Sequence, residues 1–180
     1  MESPSTKDII TNNMARELFI TPKDVVAFAP METISDDRIL PMIVLAQEKY
    51  TRNDLGKALY DQVVSELASD DPESANINTL RLEYIKPALV WLTFVEILEW
   101  NDLRIDDKGN YTVAAENGTT ANDQRISRAR RNARINAQTY SEQLIDYLCY
   151  NSELYPNYYR TTDGGPYPSF RAFSGGWYLN

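Results

Sequence analysis

Apolar residues in this chain fall mostly at intervals of three and four, interrupted by proline, glycine and acidic runs. The clearest stretch is LGKALYDQVVSEL, where Leu55, Leu59, Val63 and Leu67 recur every four residues and predict an amphipathic helix. Upstream, TPKD carries the start signals of a short helix: Thr21 as N-cap, Pro22 at the first helical position and Asp24 at the third, ending near Phe28 before Pro30. Ser35, Asp36 and Asp37 cap a second helix running to about Tyr50, with Ile39, Ile43, Ala46 and Tyr50 on one face. Pro41 lies inside that span, so either the helix begins late or its first turn is distorted. The polar TRND predicts a break before the Leu55 stripe.

ASDDPESANIN, acidic and rich in turn formers, predicts an exposed loop. TLRLEYIKPALVWLTFVEILEW is apolar on nearly all sides, the pattern of a helix at the centre of a bundle. Pro87 should divide it into a short helix and a longer one starting near Ala88. Short alternation around Asp-Lys-Gly in LRIDDKGNYTV predicts a small hairpin. The longest periodic run follows: Ile126, Ala129, Ala133, Ala137, Tyr140, Leu144 and Leu148 step by three or four along a helix of about 28 residues, a rod of about 40 Å. Its stripe is thin in the first half, inviting a close neighbour, and thick in the second, suited to a core. The expected fold is mainly α, a bundle of four to five helices with one long C-terminal helix, a small β-hairpin insertion and an extended C-terminal arm. A polar N-terminal arm over 1–14, a helical domain over 15–154 and an aromatic-rich arm over 155–180 complete the organisation.

Composition narrows the function. A chain of 180 residues with 43% hydrophobic content suits one folded domain with an appendage. The net charge of -8 disfavours binding to duplex DNA through phosphate neutralisation. No basic leader opens the sequence, and ALVWLTFVEIL is too short to span a bilayer, so synthesis and residence in a cytosol are expected. With no His in the chain, Ser-His-Asp and Cys-His catalysis and nearly all zinc sites are excluded; no metal, cofactor or enzymatic activity is expected.

Several local patterns dissolve on inspection. An EF-hand register placing Gly109 sixth puts Arg104 first and Ala115 last, where carboxylates are required, so Asp106 and Asp107 belong to a tight turn. Gly56-Lys57 lacks the remainder of a phosphate-binding loop and reads as a helix-initiating turn. Cys149, beside Leu148 and without a His partner, reads as a packed thiol. The sequon at Asn117 carries no weight without a secretion signal.

Two features remain. Arg125, Arg128, Arg130, Arg131 and Arg134 crowd the first half of the long helix without a single Lys, as suits bidentate pairing with carboxylates. They fit an interlock between identical copies, a DNA-facing surface, or a solvated face. The tail holds Tyr155, Tyr158, Tyr159, Tyr167, Phe170, Phe173, Trp177 and Tyr178 among Gly and Pro, too many rings for a disordered segment. These rings either fold back on the protein's own core or dock on a partner as Tyr and Trp anchors.

The order of ISDDRILPMIVLAQEKYTRNDLGKALYDQVVSEL, YIKPALVWLTFVEIL, the DDKG hairpin and YSEQLIDYLCYNSELYPNYY resembles small head-to-tail connector (adaptor, neck ring) proteins of tailed bacteriophages, most like those of crAss-like phages of Bacteroidetes hosts. The similarity covers roughly residues 20 to 160. It implies a structural virion protein that forms a ring homo-oligomer, dodecameric in the family's common form, at the portal-tail junction. Its partners would be the portal protein, a downstream tail or ring protein, and DNA passing through the channel without sequence-specific binding; its location would be the virion neck after synthesis in the bacterial cytoplasm. The competing expectation is a nucleic-acid-binding accessory protein that uses the Arg-rich helix.

Overall fold

A computed structural model describes residues 17–29, 34–100, 103–106, 109–112, 123–159 and Pro168, and these are mainly α-helical. The expected N-terminal arm over 1–14 and the sequon at Asn117 lie outside the described residues.

The first helix, α1 (Pro22–Phe28), starts with the reciprocal cap that its sequence spells. The Thr21 hydroxyl accepts from the Asp24 N–H at 3.4 Å, and the Asp24 carboxylate accepts from the Thr21 N–H at 2.8 Å. Asp24 also pairs with Lys86 at 2.5 Å, tying α1 to the helix it packs against. Partial burial opposes its ionisation, yet Lys86 and Thr21 together hold the Asp24 carboxyl below its usual value.

Next comes α2 (Asp36–Ala46), which begins at Asp36 with Pro41 inside it rather than starting late. As the sixth helical residue Pro41 forfeits the bond to the Asp37 carbonyl, and the helix continues through it with Ile39, Ile43 and Ala46 buried. The break expected at TRND comes two residues later, at the Gly56-Lys57 turn, where Gly56 leaves the helical φ/ψ. The chain stays helical through a π-helical turn (Gln47–Thr51) into α3 (Arg52–Leu67). Polar side chains sustain this stretch: Arg52 donates to Glu48 at 3.0 Å, and Asn53 to the Lys49 carbonyl at 2.7 Å. The change of direction comes later, at Gly56, whose φ of 70° lies where only glycine is unstrained.

The predicted loop after Leu67 is shorter than its composition implies, because Ala75–Thr79 forms a helical turn, α4. Glu66 closes the loop by accepting from the Ser74 N–H at 2.9 Å and its hydroxyl at 2.8 Å. Pro87 does not split the following segment. A π-helical turn (Leu80–Ile85) precedes α5 (Lys86–Trp100), and this widened turn makes room for the proline ring. Buried side chains run from Ala88 to Ile97 without a gap longer than Trp91, so α5 is the central helix.

Two short antiparallel strands, β1 (Leu103–Asp106) and β2 (Gly109–Thr112), pair with Asp106 opposite Gly109. The last helix, α6 (Asp123–Tyr150), packs along α5, and Ala133, Ala137, Ser141, Leu144 and Leu148 are buried on its inner face. Its buried stripe is rotated from the expected one, leaving Ala129 exposed. The small residues therefore receive α5 of the same chain, not a neighbouring copy.

Candidate docking surfaces on the last helix and the tail

The five clustered arginines divide. Arg130 donates from Nε and Nη2 to the Leu98 carbonyl at 3.2 and 3.0 Å, and Arg134 pairs with Glu99. Both guanidinium groups thus cover the C-terminal end of α5, where carbonyls lack helical partners and the dipole is negative. Arg128 and Arg131 are exposed. The side chain of Arg125 lies outside the described residues. The cluster is therefore not one basic face: part of it is an intramolecular clamp.

The tail divides as well. Tyr155 and Tyr158 were expected on a partner-binding arm, but they are 1% and 0% exposed within the protein's own core. After α6 the chain turns through Asn151–Leu154 into a single 3-10 turn (Pro156–Tyr158), which swings both rings inward. The Tyr155 hydroxyl donates to the Asn76 carbonyl at 2.9 Å and lies 3.2 Å from the Tyr147 hydroxyl. Tyr147 stacks on Tyr84 at 3.8 Å between centroids, and Asn157 donates to Gln62 at 2.9 Å. Burial pushes the Tyr155 and Tyr158 hydroxyls well above the usual phenol range. Tyr159 stays outside, edge-on to Tyr158. Tyr167, Phe170, Phe173, Trp177 and Tyr178 lie outside the described residues.

Pro168 is buried, and it sits on Gly56. A Cβ at position 56 would lie 2.8 Å from the Pro168 ring and backbone nitrogen, so glycine is required there for space as well as for its positive φ. At this point the tail folds back on the helical unit.

Beside that joint lies a group that sequence reading missed. Asp54 is 3% exposed, with the hydroxyl of Ser141 on α6 as its hydrogen-bond partner. Burial, with no cation against it among the described residues, pushes its carboxyl up to about 7. The usable signal was the spacing Gln47, Thr51, Asp54, which continues the buried face of α2 in polar residues. Gln47 is bonded throughout: it accepts from the Phe19 N–H at 3.0 Å and donates to the Glu17 carbonyl at 3.0 Å and the Tyr60 hydroxyl at 3.1 Å.

A second buried carboxylate, Glu96 at 1% exposure, lies on α5. Lys49 donates to it at 2.8 Å, Tyr50 at 2.6 Å and Trp100 at 3.3 Å. Burial opposes its ionisation, but these donors hold the carboxyl below its ordinary value.

Apolar surface gathers where α6 ends. Tyr150 is 90% exposed, Leu154 47% and Tyr159 45%. Cys149, expected to be packed, is exposed there with its thiol against Tyr158 and Tyr159. Elsewhere, a shallow cleft is lined by Ile34, Arg38 and Met42 beside Ile97 and Trp100. Among the described residues, no group of acidic or thiol side chains is arranged to hold a metal ion, and no helix is long and apolar enough to cross a membrane.

Residues 52–167 match the protein family described as a family of unknown function, DUF6712, and the chain belongs to that family. No curated protein and no solved structure matches it.

Proposed function

We propose that this protein is a structural, non-enzymatic connector of a tailed-bacteriophage neck, assembling as a dodecameric ring on the portal and continuing the DNA channel toward the tail. The observation that carries a docking role is the apolar surface at the exit of α6, where Tyr150, Leu154 and Tyr159 are exposed next to the start of an aromatic-rich tail. Exposed rings grouped in this way favour a protein partner. The identity of that partner rests on the resemblance of the chain to head-to-tail connectors. In this reading the hairpin and the remaining tail aromatics, Tyr167, Phe170, Phe173, Trp177 and Tyr178, are further contacts for the portal or a neighbouring subunit. The acidic balance of the chain suits a channel component, since a net charge of -8 lets DNA pass without adhering.

The nucleic-acid alternative loses ground from the commitment of Arg130 and Arg134 to α5, which leaves fewer cations for phosphate. The test is the native mass of the full chain mixed with its portal, with Tyr150→Ser/Tyr159→Ser alongside. A closed multi-subunit complex that is weakened in the variant supports the reading. A chain that ignores the portal, or that binds DNA with steep salt dependence, overturns it.

A further inference from the structure

The solvent face of α6 changes sign along its length. At 3.6 residues per turn, Arg128, Ile135, Thr139, Glu142 and Asp146 fall within about 40° of one line, with Arg131 at its edge. All six are exposed, and Ile135 is 50% so. The opposite face, from Ala133 to Leu148, is buried against the bundle, so the stripe points away from the protein's own core. None of the ion pairs among the described residues uses Arg128, Arg131, Glu142 or Asp146. Glu142 accepts from Gln138 at 2.9 Å, which leaves its charge in place.

We propose that this stripe is a self-association surface on which two copies of the chain pair their α6 helices antiparallel about a two-fold axis. The charges are arranged symmetrically about position 137. With the axis beside that position, Arg128 of one copy faces Asp146 of the second, Arg131 faces Glu142, and Ile135 meets Thr139 at the centre. The two-fold repeats each pair, so every charge on the stripe finds its opposite over about 27 Å of helix. A parallel arrangement sets Arg on Arg and carboxylate on carboxylate, which is repulsive. A nucleic acid would meet the acidic half, and a uniformly basic partner the Arg half. A second copy of the same helix matches both.

Such a contact closes at two copies and does not itself build a ring. It describes the protein away from any portal and is independent of the connector reading.

Sedimentation of the full-length chain without portal tests it. The expected result is a dimer at low ionic strength whose dissociation constant rises about tenfold or more in high salt, the scale set by four exposed ion pairs. Arg128→Glu/Arg131→Glu makes the stripe wholly acidic and should be monomeric, and Glu142→Arg/Asp146→Arg makes it wholly basic and should be monomeric too. Mixed in equal amounts, the two variants should recover a one-to-one heterodimer. Because all four positions are exposed, circular dichroism should match wild type in each case. A monomeric wild type, a dimer indifferent to reversal, an assembly larger than two copies, or variants that fail to pair on mixing would each overturn the proposal.

Discussion

Glu96 and Asp54 are both carboxyl groups sealed inside the same bundle, and their surroundings send them in opposite directions. Glu96 faces a lysine, a phenol and an indole N–H and stays ionised. Asp54 faces a serine hydroxyl and keeps its proton to about pH 7. Both are nearly closed to solvent, at 1% and 3% exposure, but Asp54 lies deeper, while Glu96 sits beside Lys49 and Trp100, which reach the surface. Depth and the supply of cations and donors therefore act in the same direction on this pair. The pair also gives the protein two opposed pH dependences. Glu96 contributes stability above its ordinary value of 4.5 that is lost as pH falls through its lowered native value. Asp54 has a raised native value, so its contribution is fully present below 3.8 and is lost as pH rises to about 7.

Breaking the Glu96 side of the comparison should have the largest effect. Lys49→Met leaves the buried carboxylate with Tyr50 and Trp100 as its donors among the described residues, and, Lys49 being half-exposed and partly screened, about 2 kcal/mol of stability should vanish at neutral pH, read by urea denaturation. The loss should shrink in acid, as Glu96 takes up a proton.

Asp54→Asn imitates the protonated form and comes next. At pH 8 the variant should exceed wild type by on the order of 2 kcal/mol, and at pH 4 the two should coincide, with the difference developing between those limits. A gap that does not vary with pH would mean that Asp54 does not titrate inside the fold.

A third buried polar group sharpens the contrast with the smallest change. Thr93 is fully buried, and its hydroxyl has no hydrogen-bond partner among the described residues. Thr93→Val keeps the shape and removes the stranded hydroxyl, so the midpoint of thermal unfolding should rise, by about 1 kcal/mol in stability.

The same contrast explains which parts of the fold could be read in advance. Ile39, Ile43 and Ala46 announce the buried face of α2 because apolar spacing is visible in the sequence. Gln47, Thr51 and Asp54 extend that face, but their polarity reads as a surface break until the partners of Gln47 and Asp54, which come from distant segments, are in place. The capping box at Thr21 was legible because every atom it needs lies within four residues. Arg130 and Arg134 were not, since charge clusters look alike whether they face a partner or cap α5. Tyr155 and Tyr158 misled in the other direction: apart from any helical period, aromatic rings advertise stickiness without saying what they will adhere to. Pro87 carried a known local penalty, but whether a helix breaks or widens into a π-turn depends on the packing that surrounds it.

The seat of Pro168 on Gly56 bears on how this molecule is finished during synthesis. Translation produces the Gly56 bend long before the proline that covers it, and glycine can hold a left-handed conformation unaided. The helical segments that pack the bundle all precede residue 159, so a chain shortened ahead of residue 168 would carry them with the Gly56 bend left uncovered.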